Sequence, residues 1–194
     1  MGLFRYTASN SMTDFETARK IQEGDPDAIS SFITLRYPEI YRLLRHLTLH
    51  AEDAEDLTQQ TFLQARRCAG GYNGRASLRT WLHRIAFHEY THWKRARRRT
   101  SRLVDQETIE ERGYAACLDA IAVEQALAQL PARQREAFLL LEVQEMSIAE
   151  VAATMRVPVG TAKSRVHHAR KALRAMLQAG TEDSQNERRA YECR

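Results

Sequence analysis

The sequence predicts an all-α protein made of two small helical domains joined by a flexible acidic linker. Three observations carry that expectation. Glycine and proline are scarce, 8 and 4 of 194 residues, about half their average share; a many-turned sandwich or barrel needs more of both. Apolar residues recur every three or four positions over most of the chain, the helical period, and no stretch alternates as a half-buried strand would. Residues 100–117 alone lack an apolar face and are locally acidic, so they read as a linker between two patterned regions. Apolar residues make up 43% and charged residues 28%, a globular composition and not a disordered one.

Each element has its own local signal. Residues 14–24 predict a short helix closed by Gly24. Asp25-Pro26 restarts the chain, with Asp as N-cap and Pro at the first helical position. Ile29, Phe32, Ile33, Tyr37, Ile40, Leu43, Leu44 and Leu47 continue that helix, with a kink expected at Pro38. A third helix is expected over Glu52–Arg67, acidic in its first turn and basic in its last, as the helix dipole prefers. Residues 69–76 (AGGYNGRA) form a glycine-rich loop, and Ser77 caps a fourth helix running into the arginines near 99. Leu78, Trp81, Leu82, Ile85, Ala86 and Trp93 lie on one stripe of it. These elements make a first domain over 14–99. After the linker, helices resume at Leu118, at the residues after Pro131, over 147–155, and from Pro158 to about Leu177. They define a second domain over 118–178, and 179–194 reads as a polar, frayed tail.

Several function classes are disfavoured. No apolar run approaches the ~20 residues of a membrane span, and residues 1–12 carry no secretory apolar stretch, so no membrane insertion and a cytoplasmic location are expected. Cys68, Cys117 and Cys193 are far apart, with no CxxC pair, which favours reduced thiols. The net charge of +4 hides two concentrated basic segments. One lies within 79–102 and ends in KRARRR at 94–99; the other, over 156–176, holds Arg156, Lys163, Arg165, Arg170, Lys171 and Arg174 and no acid. Two such segments, each on a helix, suggest two contacts with a polyanion.

The most informative stretch is SIAEVAATMRVPVGTAKSRVHHARKALRAML, residues 147–177. A short helix with Ile148, Val151, Ala152 and Met155 inward leads through a tight turn into a helix with Val166, Ala169 and Leu173 inward. This is helix-turn-helix patterning. It offers small residues for close approach, polar side chains for base edges and cations for phosphates. A surface helical hairpin with a basic face is the competing description. Arg156 holds the turn position where glycine is common; if left-handed, it costs ~1 kcal/mol.

Two blocks together resemble the sigma-70 family, specifically the extracytoplasmic-function (ECF) sigma factors. They are DAEDLTQQTFLQARR (53–67) with YNGRASLRTWLHRIA (72–86), and the long block from Leu130 to Leu173. The resemblance implies a protein with no catalytic residues and no cofactor. Such a protein binds core RNA polymerase, directs it to promoter DNA and helps open the duplex. By the same resemblance, Asp53, Asp56, Leu57, Gln59, Gln60 and Phe62 match the core-polymerase-binding helix. Tyr72, Asn73, Arg75 and Ser77 match the region that reads and melts the −10 element, where an extruded base needs stacking and edge-reading groups. Trp81 could stack there or pack in the core. Lys94, Arg95, Arg97, Arg98 and Arg99 would hold phosphates. Gly160, Thr161, Lys163, Ser164, Arg165, His167 and His168 match the −35-facing positions, with Arg133 and Arg135 as phosphate contacts. His167, His168 and the HEYTHW stretch (88–93) depart from the family pattern, so the promoter sequence is not carried over. No counterpart of the inhibitory N-terminal region of housekeeping members is read, and control by a separate anti-sigma factor is therefore expected.

Two other readings compete. His88-Glu89-Tyr90-Thr91-His92 matches the HExxH pattern of zinc proteases. No third ligand lies downstream at a suitable spacing, since the next histidine is His167, and no metal site is expected; a pH- or metal-sensing role for His88 and His92 is left open. A stand-alone helix-turn-helix regulator would share the DNA contacts but needs a dimer interface, and no heptad seam is visible.

Overall fold

The computed structural model describes the backbone of residues 9–101 and 118–192, and the side chains of 13–99 and 123–178. The chain divides into two compact units, 1–103 and 104–194. Most of the expected linker, residues 102–117, lies outside the described residues. Among the described residues the regular structure is helical throughout.

The N-terminal unit contains α1 (Ser9–Glu23), α2 (Pro26–Thr48), α3 (Ala51–Cys68) and α4 (Leu78–Ser101), with a single 3-10 turn at Ala69–Gly71. Helix α1 starts five residues before its predicted start. Asp25 caps α2 as expected: its carboxylate accepts the amides of Asp27 and Ala28 at 3.0 and 3.1 Å. Gly24, at φ +83°, makes the turn between α1 and α2. Pro38 does not interrupt α2. It lies on the exposed side, where the carbonyl it leaves unbonded can turn to water.

The core of this unit is an apolar stripe from three helices. Ile40, Leu43, Leu44, Ala54, Leu82 and Ala86 are fully buried. Each large aliphatic side chain among them contributes about 2 kcal/mol through burial. Phe62 packs its ring against Phe32 and Tyr37. The start of α4 has two caps. Ser77 Oγ accepts the Thr80 amide at 3.0 Å, and Asp14 of α1 accepts the Leu78 amide at 2.9 Å.

The C-terminal unit contains α5 (Leu118–Gln129), α6 (Ala132–Phe138), a π-helical turn (Leu139–Val143), α7 (Ile148–Met155) and α8 (Val159–Glu192). Leu139, Leu140, Val151, Ala162 and Ala169 are fully buried, flanked by Leu127, Leu130 and Val166. Ser147 and Glu150 form a reciprocal capping box at the start of α7, which satisfies two otherwise orphaned amides. Arg156 ends α7 in the left-handed region, φ 54° and ψ 51°, so the strain expected from the sequence is present.

The polar tail differs from expectation. The backbone of α8 continues helically past Gly180 to Glu192. A glycine inside a helix costs only ~1 kcal/mol, and the Gln, Glu, Arg and Ala residues beyond it are good helix formers.

Candidate functional site

Three surfaces collect the residues singled out by the sequence. The first is the outer face of α3. Asp56, Gln59 and Gln60 are exposed. Leu63 completes this face and is 58% exposed. The family motif did not single it out, although its position off the Leu57–Thr61–Ala65 stripe would have placed it outside on a helical wheel. Leu57 and Phe62, predicted beside Asp56, are instead buried. They are the apolar stripe of α3, and water exclusion places them against α2 and α4. Asp53 is also engaged inward. It accepts Trp93 Nε1–H at 3.2 Å and the Arg97 guanidinium at 3.1 Å, and stands 3.4 Å from His50 Nδ1. A residue expected to dock polymerase is thus paired with one expected to bind phosphate, and the pair ties α3 to α4.

The second group comprises two places, the glycine-rich loop that precedes α4 and the later turns of α4. Asn73 and Arg75 are exposed, and the Asn73 side chain accepts the Arg75 amide at 3.2 Å in an Asx turn. Tyr72 does not share that exposure. Its ring is buried between Phe15, at 5.2 Å, and Trp81, at 5.7 Å, and its hydroxyl donates to the Ala76 carbonyl at 2.8 Å. Ser77 is half-buried and serves as the cap of α4. The loop's glycines permit close approach to α1: at Gly74, φ +67°, a Cβ would stand 2.3 Å from the Phe15 ring. Along α4, Arg95, Arg98 and Arg99 are exposed. Lys94 lies over the Tyr90 ring and Arg97 over the Trp93 ring, at 5.3 and 5.5 Å, cation–π contacts that orient the charges.

In the early turns of α4 His83 is buried, with Nδ1 2.8 Å from the Arg79 carbonyl. Burial pushes its pKa down to about 4, while the bond to the Arg79 carbonyl opposes that shift. The nearby charges are a network in which Arg79 and Arg36 both bond Glu39 at 3.3 Å. Nothing in the spacing of the sequence distinguishes this histidine from an exposed one.

The third surface is the start of α8. Gly160, Lys163, Ser164, His167 and His168 are exposed, with Thr161 and Arg165 partly so. Positions 160, 163, 164, 167, 168 and 171 recur at helical spacing, and Ala162, Val166, Ala169 and Leu173 occupy the buried side. Val159, 50% exposed at the first turn, adds an apolar side chain to this face that the sequence reading did not single out. A Cβ on Gly160 would meet nothing within 4 Å, so the fold itself does not require glycine there. Arg133 is exposed. Arg135 is not: its guanidinium donates to the carbonyls of Ala128 and Leu127 at 3.1 and 3.5 Å, closing the end of α5. The orphan carbonyls of a helix terminus attract such a donor.

Among the described residues no helix is long and apolar enough to cross a membrane.

The comparisons with known proteins agree with this geometry. Residues 32–100 match the family model for sigma-70 region 2, and residues 120–173 match that for sigma-70, region 4. The ECF RNA polymerase sigma factor SigC of Mycobacterium tuberculosis is 35% identical over 178 residues, covering 87% of this chain and 94% of the relative. SigW of Bacillus subtilis is 25% identical over 82% of this chain and 94% of its own length. Among solved structures, the sigma factor RpoE from Bartonella quintana, in complex with the anti-sigma factor NepR, superposes with a TM-score of 0.70 at 29% identity. It covers 77% of this chain and 96% of its own. CnrH, in complex with the cytosolic domain of CnrY, has the same fold, with a TM-score of 0.63 at 24% identity over 86% of this chain and 97% of its own. With both sigma-70 regions matched in order, and a relative aligned over nearly its whole length, the chain belongs to the sigma-70 family, as an ECF RNA polymerase sigma factor.

Proposed function

We propose that this sigma factor docks on core RNA polymerase through the exposed face of α3, formed by Asp56, Gln59, Gln60 and Leu63. Leu57 and Phe62 support that face from the core. An acidic, hydrogen-bonding patch with one exposed leucine suits a basic partner with an apolar spot, and its charge steers encounter. The C-terminal unit reads the −35 element with Val159, Gly160, Thr161, Lys163, Ser164, Arg165, His167 and His168. The N-terminal unit meets the −10 region with Asn73 and Arg75, and Lys94, Arg95, Arg97, Arg98 and Arg99 hold phosphates. Arg133 adds a phosphate contact in the C-terminal unit, while Arg135 positions α5 there. Tyr72 and Ser77 shape the loop in the free protein, and Tyr72 reaches an extruded base only if the Phe15–Trp81 sandwich opens.

The observation that carries this reading is the face of α8. One helix end presents small, polar and basic residues together, while its other side is fully packed. The protein works by binding and not by catalysis, and its place of action is the cytoplasm, with the polymerase. RpoE of Bartonella quintana is held by an anti-sigma factor, and by that likeness a separate anti-sigma protein restrains this chain.

Selection of active promoters from a randomised library, using core polymerase and the full chain, tests the assignment. Enriched templates are expected to carry two conserved elements at a fixed separation. Lys163→Ala is expected to relax selection at the upstream element alone. Loss of selection at both elements, or at the downstream one only, would refute the placement of the C-terminal unit.

A further inference from the structure

The helical pair His88 and His92 is not used by any of the surfaces above. Both rings are exposed on α4. Their Nε2 atoms face one another at 3.2 Å, with ring centroids 4.4 Å apart. Imidazole nitrogens bind zinc at 2.0–2.1 Å. Two such nitrogens on one ion therefore stand about 2.9 Å apart at a right angle and about 3.3 Å apart at the tetrahedral angle. The observed separation lies between these values.

The non-facing side of His88 also fits. Its Nδ1 faces Glu89 Oε1 at 3.8 Å, too far for a hydrogen bond but near enough for a small side-chain rotation to make one, and metal-binding histidines commonly direct their second nitrogen to a carboxylate. That same placement argues against the protease reading of HExxH, because Glu89 lies beside Nδ1 and not beside the facing Nε2 atoms. Among the described residues no third histidine, cysteine or acid joins the pair. His167 and His168, consecutive and 5.7 Å apart at their centroids, are not arranged this way.

We propose that His88 and His92 form a two-point chelate for a divalent transition metal of imidazole preference, such as Ni²⁺, Zn²⁺ or Cu²⁺, with its remaining positions open to water. The site lies immediately before the Lys94–Arg99 basic tract on α4, so a bound ion adds positive charge to that arm. The inference stands on the geometry of the pair and does not depend on the promoter assignments.

Titration calorimetry of the full chain with Ni²⁺ alone, under reducing conditions at neutral pH, tests it. One ion per chain is expected. His88→Ala and His92→Ala are each expected to weaken binding roughly 100-fold, and Glu89→Gln roughly tenfold. Both histidines are exposed, so the variants keep their helix content by circular dichroism. Adding Ala96→His to His88→Ala rebuilds a four-residue spacing one turn later and is expected to restore most of the affinity. No detectable Ni²⁺ binding, or an affinity unchanged within twofold in both single variants, would overturn the proposal.

Discussion

His83 shows how a single side chain sets a pH limit on the N-terminal domain. Its imidazole is buried and its folded pKa is about 4, against 6.5 when solvated. Protonation is therefore easier in the unfolded chain. Stability is fully present above about pH 6.5 and declines as pH falls toward 4, by up to roughly 3 kcal/mol. Chemical denaturation at several pH values should show this decline, and His83→Phe should flatten it over that window. Arg156 is the second such position. Its left-handed backbone costs a non-glycine residue ~1 kcal/mol or more, and its side chain is exposed. Arg156→Gly should raise the stability of the C-terminal domain by about 1 kcal/mol, read as a shift in its urea midpoint.

At the scale of the element, α8 separates a packed side from an exposed side, to which the proposed function assigns recognition. The side holding Ala162, Val166, Ala169 and Leu173 builds the domain, and the opposite side is available to DNA. Gly160 distinguishes the two. Nothing within 4 Å opposes a Cβ there, so Gly160→Ala should leave thermal stability unchanged or slightly higher. If the helix end approaches DNA closely, the same variant should weaken −35-dependent promoter binding about tenfold, measured by competition against unrelated duplex. Much of this was legible in the sequence. The Asp25-Pro26 helix start, the inward stripe of α8 and the strained turn at Arg156 are local features with local physical causes. The family motif marked a stretch of α3 but not which side chains point outward. Leu57 and Phe62 lie on the buried stripe, while Leu63 does not. The contacts of Arg135 and Asp53 were not legible for a different reason: their partners, the end of α5 and the residues Trp93 and Arg97, are brought to them only by folding. Gly180 misled because one glycine is a weak stop signal in good helix-forming surroundings.

For the whole molecule, the proposed function divides its tasks between the two units. Asp56 is exposed on α3 in one unit, and Arg165 lies on α8 in the other. Asp56→Ala should weaken association with core polymerase about tenfold without changing the promoter sequence selected. Arg165→Ala should weaken promoter recognition and leave polymerase binding intact. If both variants altered only affinity for naked DNA, the division of roles would be wrong. The central claim is that this chain acts as a polymerase subunit and not as a free-standing DNA-binding regulator. Co-elution of the purified full-length protein with core RNA polymerase on a sizing column, at moderate salt and without DNA, tests it most directly. A stable one-to-one complex is the expected result. Separate elution of the two, with the protein folded and free of any inhibitor, would contradict it.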